Sequence, residues 1–275
     1  MTTNLSTRGV RYWLIPFMLF AHGVCWSQQI DKLSVTSINL KMLRNETAIG
    51  TATGFVVAKN SHYYLVTNRH VVLGCALDTS PSNLGGWICA NKLSIFHNRQ
   101  GHLGEWVWVT EELFDGHDKK RWFEHPTLAG GADLVALPLA HIENVQLYPL
   151  DIALRNSDIA LTPGDTVSIV GFPFGQAQGA GLAIWKTGTV ASDLDVNFSN
   201  RPMFLVDTTS RPGMSGSPVY AVRSGAYRSS DANLKMVANG TATKFLGVYS
   251  EQNVQAELGA VWKAEAVQAL YDSLP

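Results

Sequence analysis

Short runs of apolar or alternating residues, separated by turn-forming residues, extend through most of the chain. The runs lie near residues 33–43, 49–58, 62–67, 92–97, 104–110, 133–139, 166–171, 182–191, 203–207, 217–222, 244–250 and 256–262. Gly, Pro, Asn and Asp separate them, which is typical of β-sandwiches and β-barrels. Only the stretch from Ala264 to Leu274 has a convincing helical pattern, with an apolar face at Val267, Leu270 and Tyr271. The sequence therefore predicts an all-β chain that ends in a helix.

Composition permits a large core and argues against several kinds of partner. The chain has 275 residues, of which 46% are hydrophobic and 16% are charged, so it can bury a core as one or two domains. Its formal net charge is −1, and no overall field favours nucleic acid or an anionic membrane. The sequence has no run of like charge and no Cys/His spacing typical of zinc. We therefore expect no nucleic-acid partner and no metal, and composition indicates no particular oligomeric state.

The N-terminus has the pattern of an export signal. Arg8 and Arg11 precede an apolar stretch from Tyr12 to Val24, which is shorter than the roughly 20 residues that span a bilayer. Small residues around Ala21, Gly23 and Ser27 offer cleavage sites. We predict a signal peptide over residues 1–27 and a secreted or periplasmic protein without a stable membrane anchor. An uncleaved anchor is the alternative.

The cysteines agree with export. Cleavage of the signal would remove Cys25 and leave Cys75 and Cys89, which bracket a polar, Gly/Pro-rich loop. An even pair in an exported protein suggests a disulfide, and closing a loop of that size would contribute about 3 kcal/mol in the chain-entropy model. Two free buried thiols are the alternative.

The segment Arg211–Val219, with the sequence RPGMSGSPV, is a candidate for a reactive serine. Ser215 lies between Gly213 and Gly216, directly before a predicted strand. Small neighbours let a substrate backbone approach closely and leave backbone N–H groups free to point at it. A tight turn before a strand would have the same composition.

A histidine and an aspartate in suitable settings precede this serine. His70 follows the apolar run Tyr64–Val66, and Asp133 opens the apolar run that continues to Leu139. A buried carboxylate is costly unless it is hydrogen-bonded, and a reactive serine needs a base that is oriented by a third group. Taken singly, His70 could be a core histidine and Asp133 a strand cap. Together, in the order His, Asp, Ser, they predict a catalytic triad.

These three segments resemble the catalytic motifs of the chymotrypsin/trypsin-like serine peptidases. The resemblance is strongest to bacterial branches related to the high-temperature-requirement proteases and the glutamyl endopeptidases. It rests on TNRHVV for the histidine, DLVALPL for the aspartate and DTTSRPGMSGSPV for the serine. Two further segments agree, Gly54–Val57 and Val170–Gly175, and the similarity runs from about residue 33 to 273. An α/β-hydrolase would have the order Ser, Asp, His and a glycine at the position of Ser217.

The resemblance implies a fold of two six-stranded antiparallel β-barrels with the active site in the cleft between them. The first barrel would comprise residues 28–155 and would carry His70 and Asp133. The second would comprise residues 156–275, carry Ser215 and end in the helix.

It also implies a mechanism. His70 would take the proton of Ser215 as the hydroxyl attacks a peptide carbonyl, and Asp133 would orient the imidazole. The N–H groups of Gly213 and Ser215 would form the oxyanion hole, and water would release the acyl-enzyme. Substrates would be proteins or peptides, and no cofactor is required. The alternative is an inactive relative that binds peptides or proteins in the same cleft.

The chain also departs from well-known members of the family. Met214 occupies the position where digestive members have an aspartate that pairs with a new N-terminus. Thr209 replaces the trypsin aspartate six residues before the serine, and Tyr249 replaces the histidine of the glutamyl endopeptidases. We expect Thr209, Tyr249 and Ser250 at the substrate pocket, a preference for hydrophobic or small uncharged side chains, and a contact from Ser250 to Asp133.

Overall fold

The structure is a computed structural model that describes residues 30–77, 86–209, 211–253 and 256–275. The predicted signal peptide, residues 1–27, lies outside the described residues. Within the described ranges, no helix is both long and apolar enough to cross a membrane. Residues 31–275 form one compact unit.

The first half of this unit is an antiparallel sheet with two short helices. Its elements are α1 (Lys32–Thr36), β1 (Ser37–Arg44), β2 (Thr47–Lys59), β3 (His62–Thr67), α2 (Arg69–Val72), β4 (Cys75–Leu77), β5 (Trp87–Cys89), β6 (Lys92–Arg99), β7 (His102–Glu112), β8 (Phe123–Glu124), β9 (Val135–Pro138) and β10 (Val145–Gln146). The sheet has eight strands in the order β10-β6-β1-β2-β3-β9-β8, with β7 also paired to β6. Six of them match the predicted runs, and the two-residue strands β8 and β10 are additional. Strands β4 and β5 form a separate hairpin.

The second half is a closed barrel followed by a helix. Its elements are β11 (Thr166–Gly171), β12 (Ile184–Val190), β13 (Met203–Asp207), β14 (Pro218–Arg228), β15 (Leu234–Asn253), β16 (Leu258–Lys263) and α3 (Ala264–Ser273). The barrel order is β11-β12-β13-β16-β15-β14. Short 3₁₀ turns lie at Ile152–Asn156, Pro173–Gly175, Gly179–Gly181 and Phe198–Asn200. The predicted all-β fold with a C-terminal helix is confirmed, while the domain boundary near residue 155 stays a prediction.

Two local expectations from the sequence are wrong. The predicted strand over 33–43 begins as helix α1, because the Asp31 carboxylate accepts a hydrogen bond from the Leu33 amide at 2.8 Å and caps it. The C-terminal helix is therefore not the sole helix among the described residues, since α1 and the short helix α2 precede it. In addition, the runs predicted over 217–222 and 244–250 continue into a long hairpin, β14–β15, whose outer residues are mostly exposed.

One apolar cluster spans both halves and fixes their mutual arrangement. Phe55 of β2 packs edge-on against Phe245 of β15, with ring centroids 5.9 Å apart. Helix α3 contributes Val267 and Leu270 to the same cluster. Lys59 of β2 donates to three carbonyl oxygens at the end of α3, where a cation is favoured. Since β2 also reaches the candidate site, this packing positions the site from both halves.

His97 of β6 is a buried histidine without a hydrogen-bond partner among the described residues. Its side chain is 1% exposed, and neither ring nitrogen has a partner there. Burial lowers the pKa of His97 from 6.5 to about 4, an effect that the nearby Glu111 charge only partly opposes. The folded protein therefore holds this imidazole neutral.

We expect the protein to lose stability as the pH falls from about 6.5 towards 4. In that window the unfolded chain binds a proton at His97 that the folded chain does not bind, so the free energy of unfolding falls by about 2 to 3 kcal/mol. Urea unfolding of wild type and His97→Gln on both sides of the window measures this contribution. The variant should lose less stability on acidification than wild type. Equal losses would show that His97 is not the group responsible.

Candidate active site

His70 and Asp133 are brought together by the pairing of two adjacent strands. Strand β3 pairs antiparallel with β9, and Thr67 lies opposite Val135. Residues just after Thr67 therefore face residues just before Val135. His70 lies in α2, one turn beyond the end of β3, and Asp133 lies just before β9. The strand register thus places the two predicted side chains next to each other.

The Asp133 carboxylate is held by three donors. Its Oδ1 accepts from the His70 backbone N–H at 2.8 Å, and its Oδ2 lies 2.7 Å from His70 Nδ1. Oδ2 also accepts from the Ser250 hydroxyl at 2.5 Å, as predicted for Ser250. The Asn68 amide donates to the Asp133 carbonyl oxygen at 2.8 Å.

These contacts determine which nitrogen of His70 is available. Burial by itself would raise the pKa of Asp133, but the hydrogen bond and charge of His70, together with the Ser250 hydroxyl, outweigh it, and the pKa lies below its usual value. The carboxylate is then ionised at neutral pH and can only accept hydrogen bonds. Nδ1 must therefore carry the proton in this pair. In neutral His70, Nε2 has a free lone pair that can accept a proton.

Ser215 lies in the turn between β13 and β14, close to the same group. Its hydroxyl donates to the Ser250 carbonyl oxygen at 3.4 Å. Among the hydrogen bonds of the described residues, none joins this hydroxyl to the His70 ring. Ser250 therefore contacts two of the three predicted catalytic residues, Asp133 through its hydroxyl and Ser215 through its carbonyl oxygen.

The backbone of the turn that contains Ser215 provides two amide groups that have no acceptor among the described residues. The Phe174 N–H donates to the Pro212 carbonyl oxygen at 2.6 Å. Because the peptide between Pro212 and Gly213 is trans, the Gly213 N–H points in the direction opposite to the Pro212 carbonyl, away from Phe174. Neither the Gly213 N–H nor the Ser215 N–H donates to any described residue. Two unpaired donors this close together are suited to a developing oxyanion.

Thr53 of β2 holds the turn that contains Ser215. Its backbone N–H donates to the Ser215 carbonyl oxygen at 2.8 Å, and its hydroxyl donates to the Gly213 carbonyl oxygen at 2.7 Å. The Phe172 N–H in turn donates to the Thr53 hydroxyl at 3.0 Å. Thr53 thus holds two carbonyls of the turn, those of Gly213 and Ser215, from the other half of the molecule. The sequence does not point to Thr53, because the segments that it binds around Ser215 and Phe172 lie more than a hundred residues away.

Met214 is buried in the core of the second barrel. It is 1% exposed and packs in the same apolar cluster as Val219 and Val261. A carboxylate at this position would need a buried partner. The turn is instead held by apolar packing and by Thr53.

The other predicted pocket residues lie in different settings. Thr209 is exposed, two residues after β13. Tyr249 of β15 is 2% exposed, and its backbone pairs with Gly216 and Ser217, so it anchors the serine turn from the core side. The roles of Thr209 and Tyr249 in substrate selection stay predictions.

Cys75 and Cys89 lie beside the site. They are opposite each other in the β4–β5 hairpin, and their sulphur atoms are bonded. Cys75 lines the same cavity as His70. The disulfide therefore fixes the open end of the β4–β5 hairpin next to His70. The described ranges contain no group of three or more His, Cys, Asp or Glu side chains that could hold a metal ion.

Comparison with known proteins identifies a family. The model of the trypsin-like peptidase domain matches residues 52–226, which is more than half of the chain and includes His70, Asp133 and Ser215. No curated protein matches the sequence.

Solved structures similar to this chain are distant in sequence. An inactive form of an alanine mutant of Rv3671c from M. tuberculosis H37Rv is 15% identical, with 88% of this chain and 90% of that chain covered and a TM-score of 0.45. A serine endoprotease from Yersinia pestis is 13% identical, with 87% and 64% covered and a TM-score of 0.46. The HtrA-type protease AlgW, solved with a tripeptide, is 13% identical, with 87% and 60% covered and a TM-score of 0.48. The assignment to a family therefore rests on the match to the trypsin-like peptidase domain and not on these distant structures.

Proposed function

Because this chain belongs to the family of trypsin-like peptidase domains, we propose that it is an exported serine endopeptidase acting through His70, Asp133 and Ser215. The observation that carries the proposal is the state of the His70–Asp133 pair. An ionised carboxylate on Nδ1 leaves Nε2 of His70 as the basic nitrogen, on a side chain that is about half exposed (49%). A base prepared in this way needs a hydroxyl, and we assign that role to Ser215, whose hydroxyl donates to Ser250, the residue that also donates to Asp133.

In the first step the Ser215 hydroxyl attacks the carbonyl carbon of the scissile peptide bond, and His70 Nε2 takes its proton. A tetrahedral intermediate forms, and its negative oxygen accepts hydrogen bonds from the Gly213 and Ser215 N–H groups. Asp133 stabilises the imidazolium that results. Loss of one such oxyanion donor typically costs roughly 3 kcal/mol in the barrier.

In the second step the intermediate collapses and the C–N bond breaks. The proton on His70 passes to the leaving amine, and an ester joins the acyl group to Ser215. A water molecule then gives its proton to His70 and attacks the ester, which releases the acid product and restores the Ser215 hydroxyl. These steps require neither a metal nor an organic cofactor.

The assignment to the secreted or periplasmic space has two supports. The first is the signal-like pattern of residues 1–27, which includes Arg8 and Arg11 ahead of a short apolar stretch. The second is the Cys75–Cys89 disulfide, since disulfides persist chiefly in oxidising compartments.

One observation favours a second candidate function. The Ser215 hydroxyl donates to the Ser250 carbonyl oxygen, and no hydrogen bond to His70 exists among the described residues. A protein that kept this arrangement could bind peptides in the cleft without cleaving them. In free enzymes, however, catalytic hydrogen bonds are often long and tighten only when substrate is bound.

Proteolysis of casein separates the two candidates. Wild type should cleave casein, and Ser215→Ala and His70→Ala should each lose the activity while keeping the circular dichroism spectrum of wild type. Mass spectrometry of the products should show that internal peptide bonds are cut. A folded wild type that leaves casein intact, or a Ser215→Ala variant that cleaves it at the wild-type rate, would contradict the proposal.

A further inference from the structure

A cavity of about 590 Å³ beside His70 carries two arginines. The residues that line it include Arg69, Arg201, His70 and Asp133. Arg69 comes from α2 in the first half, and Arg201 directly follows the 3₁₀ turn Phe198–Asn200 of the second half. The whole chain has a formal net charge of −1, so a concentration of positive charge next to the candidate base is a local feature.

Arg69 has unused hydrogen-bond donors at this cavity. Its Nε–H donates to the Glu124 carboxylate at 3.3 Å, and Glu124 is shared with Lys120 at 2.9 Å. The single carboxylate of Glu124 thus pairs with two cations, Arg69 and Lys120. The N–H groups on the two terminal nitrogens of Arg69 donate to no described residue. A methyl group added at Gly130 would lie 3.3 Å from Arg69 Nη2, and Gly130 lines the cavity, so the end of the guanidinium lies at the cavity wall.

Arg201 adds a second cation that has no counter-ion within the part of the chain that the structure describes. It is exposed, and its guanidinium makes no ion pair or hydrogen bond with the described residues. Asp133 is the one carboxylate among the described lining residues, and its oxygens already accept from His70 and Ser250. Among its described lining residues, the cavity therefore has two arginines with available donors and no carboxylate that is free to neutralise them.

We propose that this cavity binds the carboxylate side chain of an aspartate or glutamate in the substrate, at a position near the scissile bond. The proposal rests on the proposed function for the identity of the ligand as a peptide. A planar guanidinium matches a carboxylate in geometry and donates two parallel hydrogen bonds to it. Because the site is open to solvent, the gain is modest, and we expect about a fivefold preference for glutamate over glutamine that weakens as salt is added.

The test measures binding, so that its result does not depend on catalysis. Ser215→Ala protein is titrated with short, fluorescently labelled peptides that are uncharged apart from a single glutamate, which is moved along the peptide. Each peptide is paired with one that has glutamine at the same position. At one position near the centre, the glutamate peptide should bind about fivefold more tightly than its glutamine partner at low ionic strength.

Charge variants in the Ser215→Ala background assign the effect. Arg201→Ala should reduce the Glu/Gln ratio, and Arg201→Glu should reverse the preference in favour of a lysine peptide. Arg228→Ala, which removes the same charge next to Asp165 in the second barrel, is the matched control and should leave the ratio unchanged. Equal binding of Glu and Gln peptides at every position, or a ratio that Arg201→Glu leaves unchanged, would overturn the proposal. Failure of wild type to cleave casein would instead overturn the proposed function.

Discussion

The Asp133→Asn variant is expected to hydrolyse peptides about 10⁴-fold more slowly than wild type while keeping the fold. Asp133 holds His70 through Nδ1 at 2.7 Å, and only an acceptor at this position keeps the proton on Nδ1. An asparagine can turn its NH₂ group towards Nδ1 and donate to it. The proton of neutral His70 then sits on Nε2, and the imidazole can no longer accept the proton of Ser215.

The measurement is kcat/KM on a cleavable peptide, together with urea unfolding to verify the fold. Asp151→Asn is the matched control, because Asp151 makes a comparable hydrogen bond to the Ala153 amide but lies at a 3₁₀ turn away from His70. It should keep the wild-type rate. If Asp133→Asn is folded and retains most of its activity, the base is not oriented in the way described.

The Gly216→Ala variant is expected to lose about 4 kcal/mol or more of stability. Gly216 has φ +86°, a region that favours glycine, and a Cβ there would lie 1.9 Å from the Thr53 carbonyl oxygen and 2.5 Å from the Thr67 hydroxyl. The nearest atom belongs to the backbone of β2, which cannot move without breaking its pairing with β1 and β3. The strain therefore acts where the serine turn meets the first half of the molecule.

Gly225→Ala is the control for backbone conformation alone. Gly225 has φ +70°, but nothing lies within 4 Å of an added Cβ in the β14–β15 hairpin. Its substitution should cost only about 1 to 2 kcal/mol, the penalty of the left-handed conformation. Urea unfolding of both variants separates the steric contribution from the conformational one. Similar losses for the two variants would show that the turn does not press against Thr53.

Much of the fold was predictable because its signal is local. Six strands of the first sheet and six of the barrel follow runs with strand periodicity, and the face of α3 at Val267 and Leu270 follows helical periodicity. Helix α1 was missed because the same apolar residues suit a strand, and the cap at Asp31 decides the outcome. The outer part of the β14–β15 hairpin was missed because it is exposed and lacks an apolar face.

The candidate site was predictable only in part. His70, Asp133 and Ser250 lie together as expected, because the buried Asp133 carboxylate needs hydrogen-bond donors and the other two side chains provide them. The hydrogen bonds of Thr53 to the serine turn, and the one from Phe174 to Pro212, could not be predicted. Each joins segments that are distant in the chain and leaves no pattern in the sequence. The two arginines of the cavity likewise come from segments that the sequence does not connect.

Reaction with a fluorophosphonate, followed by peptide mapping, tests most directly whether Ser215 is an activated nucleophile. We expect wild type to carry the phosphonyl group on Ser215, and we expect Ser215→Ala and His70→Ala to remain unlabelled under the same conditions. A folded wild type that stays unlabelled, or that carries the group on a different residue, would contradict the catalytic role of the three residues.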